Sequence, residues 1–251
     1  MLDEIIENKL SEVEINKNNR PLAEFKNQLK KSQKDFKKAI SKNKLNLIAE
    51  IKRKSPSHKK AFNDFDLRKI AGIYGKHADA ISVLTDEKFF SGSLEDLKKI
   101  SEMTNLPILR KDFIIDLYQI YEARLFGADA ILLIASVLSL DEINNFIGVA
   151  KSLGMDCLVE VHNKKELDKV LNSKAEIIGI NNRNLDTLEI DLNMTLNVMS
   201  QIPDGKIIVS ESGISSKEYI SKIKSKVNAI LIGTLFMESK NIEKEILSLI
   251  K

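Results

Sequence analysis

From about residue 46 onward, eight short runs rich in Ile, Val, Leu and Ala recur, and polar segments of helix length separate them. The G-x-G-x-x-G turn of a dinucleotide fold is absent. Together these observations predict an α/β protein: a closed (β/α)8 TIM barrel of about 205 residues with an N-terminal helical extension over residues 1–44, forming one domain over residues 1–251.

The extension has no strand-like run. Leu2, Ile5, Ile6, Leu10 and Val13, then Leu22, Phe25, Leu29 and Phe36, recur at helical spacing, which predicts two amphipathic helices joined near Pro21. Their lysines (Lys26, Lys30, Lys31, Lys34, Lys37, Lys38) are expected to form a solvated face. The expected strands are Leu45–Ile51, Asp79–Leu84, Leu106–Arg110, Ala128–Ala135, Asp156–Val161, Glu176–Ile180, Lys206–Ser210 and Asn228–Ile232. Between them lie helical patterns such as Leu67, Ile70, Ala71 and Tyr74, or Leu140, Ile143, Phe146, Ile147 and Ala150. A faint echo (His77 to Ile81, Gly127 to Ile131, Lys226 to Ile230) sets a polar residue just ahead of an apolar strand each time, and reads as a shared way of entering a strand.

Hydrophobic residues make up 43% of the 251, enough for one large core, and 39 basic against 36 acidic residues leave a net charge of +3. That balance argues against a nucleic-acid binder driven by global charge. No apolar run approaches the roughly 20 residues of a membrane span. The start Met1-Leu2-Asp3-Glu4 lacks the basic residues of a secretory signal, so the expected location is cytoplasmic. The single cysteine, Cys157, excludes an intramolecular disulfide and a multi-cysteine metal site, and its apolar neighbours predict a buried packing role.

Polar groups gather where the apolar part of each strand ends. The two-residue period puts Ile48, Glu50 and Lys52 on one face of the first strand, Leu109 and Lys111 on the third, Leu158 and Glu160 on the fifth, Gly179, Asn181 and Arg183 on the sixth, and Val209 and Glu211 on the seventh. Three of the six arginines, Arg53, Arg110 and Arg183, also fall at such ends. Active sites of barrels are built at this end, whereas a structural salt-bridge layer would not need it. Ser212-Gly213 after the seventh strand and Gly233-Thr234 after the eighth fit a phosphate cradle, because glycine lets backbone N–H groups approach an anion. His58 and His77 sit in polar connections and His162 reads as a loop or rim residue, so no metal site is expected and the chemistry falls to lysine and glutamate.

The stretches Ile48 to Ser57, Leu109-Arg110-Lys111-Asp112-Phe113, Leu158-Val159-Glu160-Val161-His162, Gly179 to Leu185 and Ser210-Glu211-Ser212-Gly213-Ile214, in this order, resemble the indole-3-glycerol phosphate synthase family. The resemblance runs from the N-terminal helices to the last helix. It implies closure of 1-(2-carboxyphenylamino)-1-deoxyribulose 5-phosphate to indole-3-glycerol phosphate, with loss of carbon dioxide and water and without a cofactor. It further implies Lys111 as the acid for closure, Glu160 as base, Lys52 as an aid at the phosphate end or in dehydration, and Glu50 and Glu211 as partners of the sugar hydroxyls and the ammonium groups. Asn181 and Arg183 would orient the anthranilate portion, Ser55 would join the substrate site, and Ser212, Gly213, Gly233 and Thr234 would hold the phosphate. Phe113 and Phe89 would wall the aromatic ring or simply pack the barrel top. Transient association with other tryptophan-pathway enzymes is compatible with the resemblance. One stretch departs from the family pattern: His58-Lys59-Lys60-Ala61-Phe62 stands where Lys-Gly and an apolar residue are usual, which changes the backbone freedom of the loop after Lys52. A phosphosugar isomerase or epimerase barrel shares the phosphate cradle, and the Glu50, Lys52, Lys111 and Glu160 set favours the synthase over it. A noncatalytic, lysine-rich RNA-binding barrel is the rival of another class, which a steep salt dependence of RNA affinity would favour and no RNA binding at moderate salt would eliminate.

Overall fold

The structure, a computed structural model, describes residues 1–54 and 65–250. Its strands are β1 (Asn46–Ile51), β2 (Ala80–Leu84), β3 (Ile108–Lys111), β4 (Ala130–Ile134), β5 (Asp156–Val161), β6 (Ile177–Asn181), β7 (Ile207–Glu211) and β8 (Ala229–Ile232). They pair in parallel in chain order, and β8 closes on β1, so that Ile48 faces Ala80 on one side and Leu231 on the other. Every expected run holds one strand, its ends displaced by two residues at most. The starts of β3 and β4 each move by two residues; at β3 the shift follows from Pro107, which has no N–H to give a ladder. Helices alternate with the strands, and many start on a side chain that accepts a backbone N–H of the first turn: Asp66, Ser93, Asp116, Ser139, Asn163 and Ser216 each do so.

Strand alternation sorts the core into two layers. Ile48, Leu109, Leu132, Leu158, Ile177, Val209 and Leu231 fill the barrel interior. Leu47, Ala49, Val83, Ile131, Val159, Ile178 and Ile208 point outward and meet the helices. The echo in the sequence acquires a structural role at the N-terminal ends of the strands. Asp79 accepts the N–H of Leu47 at 3.0 Å, Asp129 that of Ile108 at 3.0 Å, and Asn228 that of Ile208 at 2.8 Å. The polar residues before β2, β4 and β8 thus each fasten the start of the preceding strand.

The N-terminal segment contacts the barrel interior from both ends. Its helix Leu2–Asn19 buries Ile5, Lys9 and Val13 at i, i+4 spacing. Ile5 joins the interior layer, and Lys9 Nζ lies 3.0 Å from Asp86 and 2.9 Å from Asp112, which follow β2 and β3, and 2.9 Å from Glu12. The chain then passes the helix Leu117–Leu125, where the Tyr118 hydroxyl donates to the carbonyls of Asn16 and Arg20 and its ring meets Phe25 edge-on. Finally Phe36 and Ile40 enter the same interior layer, close to the start of β1.

The second amphipathic helix of the extension does not form as expected. Only Leu22–Phe25, a 3-10 turn Lys26–Gln28 and Phe36–Ala39 are helical. Between them the chain bonds to the barrel instead of to itself. Ser32 N donates to Leu153 O, Ser32 Oγ to Asp129, and Lys34 Nζ to the carbonyls of Thr104 and Leu106. Lys34 and Lys37, expected on a solvated face, are therefore fasteners, Lys37 pairing with Glu176. Among the described residues no helix is long and apolar enough to cross a membrane.

Lys9 is the most costly of these attachments to remove. Burial acts to lower its pKa, but the charges of Asp112, Asp86 and Glu12 prevail and raise it. Asp112 in turn is held at about 2, burial being outweighed by Lys9 and Arg110. Replacing Lys9 with Met leaves the buried Asp86 without its cation and Asp112 with Arg110 alone, so urea unfolding at neutral pH should register a loss of about 3 to 5 kcal/mol. Because the Asp112 pKa is depressed from 3.8 to about 2, its share of wild-type stability is present above pH 3.8 and lost as the pH falls toward 2.

Candidate active site

At the C-terminal ends of the strands a cavity of about 560 Å³ opens, lined by Glu50, Lys52, Lys111, Glu160, Asn181, Arg183 and Glu211 and by the turns at Ser212-Gly213 and Gly233-Thr234. The strand period explains the gathering: these side chains continue the interior rows of Ile48, Leu109, Leu158 and Val209 past the apolar plug. Lys111 Nζ stands 3.0 Å from Glu160 Oε2 and 3.3 Å from Glu211 Oε2. Lys52 Nζ stands 2.9 Å from Glu50 Oε1. Glycines make the room: a Cβ at Gly179 would collide with the Glu211 carboxylate, and one at Gly233 with that of Glu50.

The electrostatics follow from burial and pairing. Burial works against the charge on Lys111, but Glu160, Glu211 and Glu50 more than compensate and raise its pKa. For Glu160 burial is outweighed by the Lys111 and His162 cations, which hold it well below the usual carboxylate range. Glu211 goes the other way. Burial pushes it up to about 8, Lys111 opposes, and the charge of Glu160 adds to the rise, so one of two neighbouring carboxyls carries a proton near neutrality.

The turn after β6 shapes one wall. Arg183 bridges to Ile190, its guanidinium donates to Leu188 O at 2.8 Å, and Leu188 adopts φ 63°, a strained backbone for a branched residue. Asn181 Oδ1 accepts the Arg183 N–H at 3.0 Å. After β7, Ser212 and Gly213 have φ 67° and 76°, and Asn182 Nδ2 fixes that turn by donating to Ser212 O at 3.0 Å.

Other residues singled out in the sequence fall elsewhere. Ser55 and the stretch His58 to Phe62 lie outside the described residues. Arg53 clasps Asp96 at 2.8 and 2.9 Å, and Arg110, on the outward face of β3, is buried with Asp112 and Glu122, each at 3.0 Å. Phe113 lines the cavity, but Phe90 does so in place of Phe89, its ring 6.3 Å from that of Phe113. Cys157 is buried, and burial pushes its thiol up, which suits packing and not nucleophilic attack. The sequence gives no sign of Met1, Leu2 and Ile5 in the cavity wall, or of Leu188 and Ile190. His162, expected at the rim, has a side chain only 8% exposed and sits against Glu160.

A sequence model of the family described as indole-3-glycerol phosphate synthase matches residues 2–249. The chain belongs to the indole-3-glycerol phosphate synthase family. Among relatives, the indole-3-glycerol phosphate synthase of Acetivibrio thermocellus is 51% identical over 84% of this chain and 83% of its own, and that of Endomicrobium trichonymphae is 49% identical over 86% and 85%. The tryptophan biosynthesis protein TrpCF of Vibrio cholerae is 43% identical over 97% of this chain, which covers 52% of that longer protein. Solved structures share the fold at low identity: N-(5'-phosphoribosyl)anthranilate isomerase of Pyrococcus furiosus superimposes with TM-score 0.60 at 15% identity, over 82% of this chain and 96% of the other. Membership makes the chain a carbon–carbon lyase of tryptophan biosynthesis.

The raised Glu211 carboxyl has a measurable cost. Its pKa rises from 4.5 to about 8 on folding, so its contribution to stability is complete below pH 4.5 and falls as the pH climbs through 8. Glu211→Gln removes that slope. In thermal melts at pH 8 the variant should unfold several degrees above wild type, and at pH 4 the two should coincide.

Proposed function

We propose that the cavity closes 1-(2-carboxyphenylamino)-1-deoxyribulose 5-phosphate to indole-3-glycerol phosphate by lysine and glutamate acid-base chemistry. The observation that carries this reading is the Lys111 ammonium held between Glu160 and Glu211 at the mouth of the barrel.

As the ring carbon bearing the carboxylate attacks the ketone, the carbonyl oxygen gains charge and takes a proton from Lys111. Carbon dioxide leaves, and its bonding pair restores the aromatic ring. The new hydroxyl departs as water with a second proton, while a carboxylate, Glu160 in this reading, removes the proton from the neighbouring carbon to form the indole double bond. Glu211, carrying a proton near neutrality, and Glu50 bind the sugar hydroxyls and keep the lysines in position. Asn181 and Arg183 receive the anthranilate carboxylate, with Phe113 and Phe90 beside the ring.

The phosphate is assigned to Ser212, Gly213, Gly233 and Thr234, whose turns end β7 and begin the segment after β8. Glu50 packs on Gly233, and β1 adjoins β8, so the Lys52–Glu50 pair belongs to the phosphate side of the cavity. This supports the phosphate role for Lys52 over the dehydration role. The TrpCF relatives, about twice as long as this chain, support a working arrangement beside another enzyme of tryptophan biosynthesis.

A continuous fluorescence assay for the indole product, run with chelator and no added cofactor, tests the reading. Wild type should form product, and Lys111→Met should lose about 10² to 10⁴ in rate while still unfolding in one cooperative transition above the assay temperature. Near wild-type turnover by the folded variant would refute the assignment of Lys111.

A further inference from the structure

Beyond the groups facing the cavity, one buried ionisable side chain touches the acid-base cluster without lining the cavity. His162 follows Glu160 by two residues, so it shares the inward face of the strand line and lies over the carboxylate. Its Nε2 is 3.0 Å from Glu160 Oε1, the oxygen that Lys111 does not hold, since Lys111 approaches Oε2. Its Nδ1 is 3.2 Å from Glu166 Oε2, on the helix Lys164–Leu171, and the same oxygen accepts the His162 backbone N–H at 2.8 Å. Glu166 is therefore anchored with or without the ring, and the ring spans from that anchor to Glu160.

We propose that His162 is a positioning residue for Glu160: as an imidazolium fixed by Glu166, it clamps one oxygen of the carboxylate while Lys111 clamps the other. The proposal rests on the reading of Glu160 as the base of the reaction. A carboxylate between two cations has a fixed orientation and a low proton affinity, so it stays ionised in the cavity and presents the same lone pair to each substrate molecule. The charged groups acting on His162 are Glu160 from its own strand and Glu166 from the following helix. Burial opposes its charge, but the hydrogen bond to Glu166 and the Glu160 carboxylate at ion-pair distance outweigh burial, and its pKa is pushed up to about 9. Behind Glu160 stand Lys111 from β3, then Glu211 from β7 and Glu50 from β1.

The test compares wild type with His162→Gln and Glu166→Gln. Loss of one cation beside Glu160 raises its proton affinity, so the acid limb of the kcat profile should move up by about one pH unit in His162→Gln, and less in Glu166→Gln. KM should change less than twofold, because His162 does not line the cavity. A purely structural role would lower Tm and leave the acid limb where it is in wild type, and that result in folded variants overturns the proposal. A readout independent of turnover is the ¹⁵N NMR titration of the imidazole. His162 should be an imidazolium at pH 7.5 and titrate lower in Glu160→Gln. Titration near the ordinary value of 6.5, unaffected by Glu160→Gln, overturns the proposal as well. Failure of wild type to make the indole product would refute the functional reading instead, and the NMR titration would still decide the pairing.

Discussion

The burial of one ammonium group, that of Lys111, among carboxylates is the constraint around which the mouth of the barrel is arranged. A lone lysine there would lose its charge or be expelled, and a lone carboxylate would take up a proton. Each needs the others, and they come from strands far apart in the chain: Lys111 from β3, Glu160 from β5, Glu211 from β7 and Glu50 from β1. Only a closed sheet with a fixed inward parity brings such strands together, Glu160 and Glu211 within ion-pair distance of Lys111 and Glu50 close enough for its charge to act on it. The small residues Gly179 and Gly233 are part of the same arrangement, since a methyl group at either would occupy the volume of a carboxylate.

The same economy of charge governs the attachment of the N-terminal segment. Lys9 reaches Asp86 and Asp112 just after β2 and β3, so its helix is held in part by a carboxylate, that of Asp112, which already belongs to the network of Arg110, Thr85 and Glu122. Asp112 connects the two networks: it neighbours Lys111 in sequence, borders the cavity and receives Lys9, Arg110 and Thr85. The helix Leu2–Asn19 is thereby a wall of the cavity as well as an attachment.

The barrel and its polar mouth were legible because both depend on strand alternation, a local property. Ile48, Glu50 and Lys52 share a face in any β-strand, so the sequence pattern alone puts their charges above the apolar row. What escaped depends on which distant surface a residue meets. Lys9 interrupts the apolar stripe Ile5, Lys9, Val13, a signal present in the sequence, but its partners Asp86 and Asp112 are about 80 to 100 residues away. The helix expected after Pro21 was lost to bonds with Leu153, Asp129 and Thr104, none of them visible in the segment itself. Phe89 and Phe90 are adjacent, and the choice between them is set by the short turn capped by Asp86. His162 reads as a loop or rim residue in the sequence, where nothing shows that Glu166 folds back over it.

The hooks at the opposite end of the barrel give the chain a modular grain. Asp79 ties β2 to β1, Asp129 ties β4 to β3, and Asn228 ties β8 to β7, each within a span of about 20 to 30 residues. Glu176, ahead of β6, instead receives lysines from the N-terminal segment and from the helix Leu140–Ser152. A chain divided between β4 and β5 would leave the Asp79, Asp129 and Asn228 hooks each inside a single fragment while parting Lys37 from Glu176, whereas a break between β3 and β4 would cut the Asp129 hook. Circular permutants and split halves of this barrel should therefore be designed with their new termini between hooked pairs, where none of these three strand-start hooks has to be rebuilt.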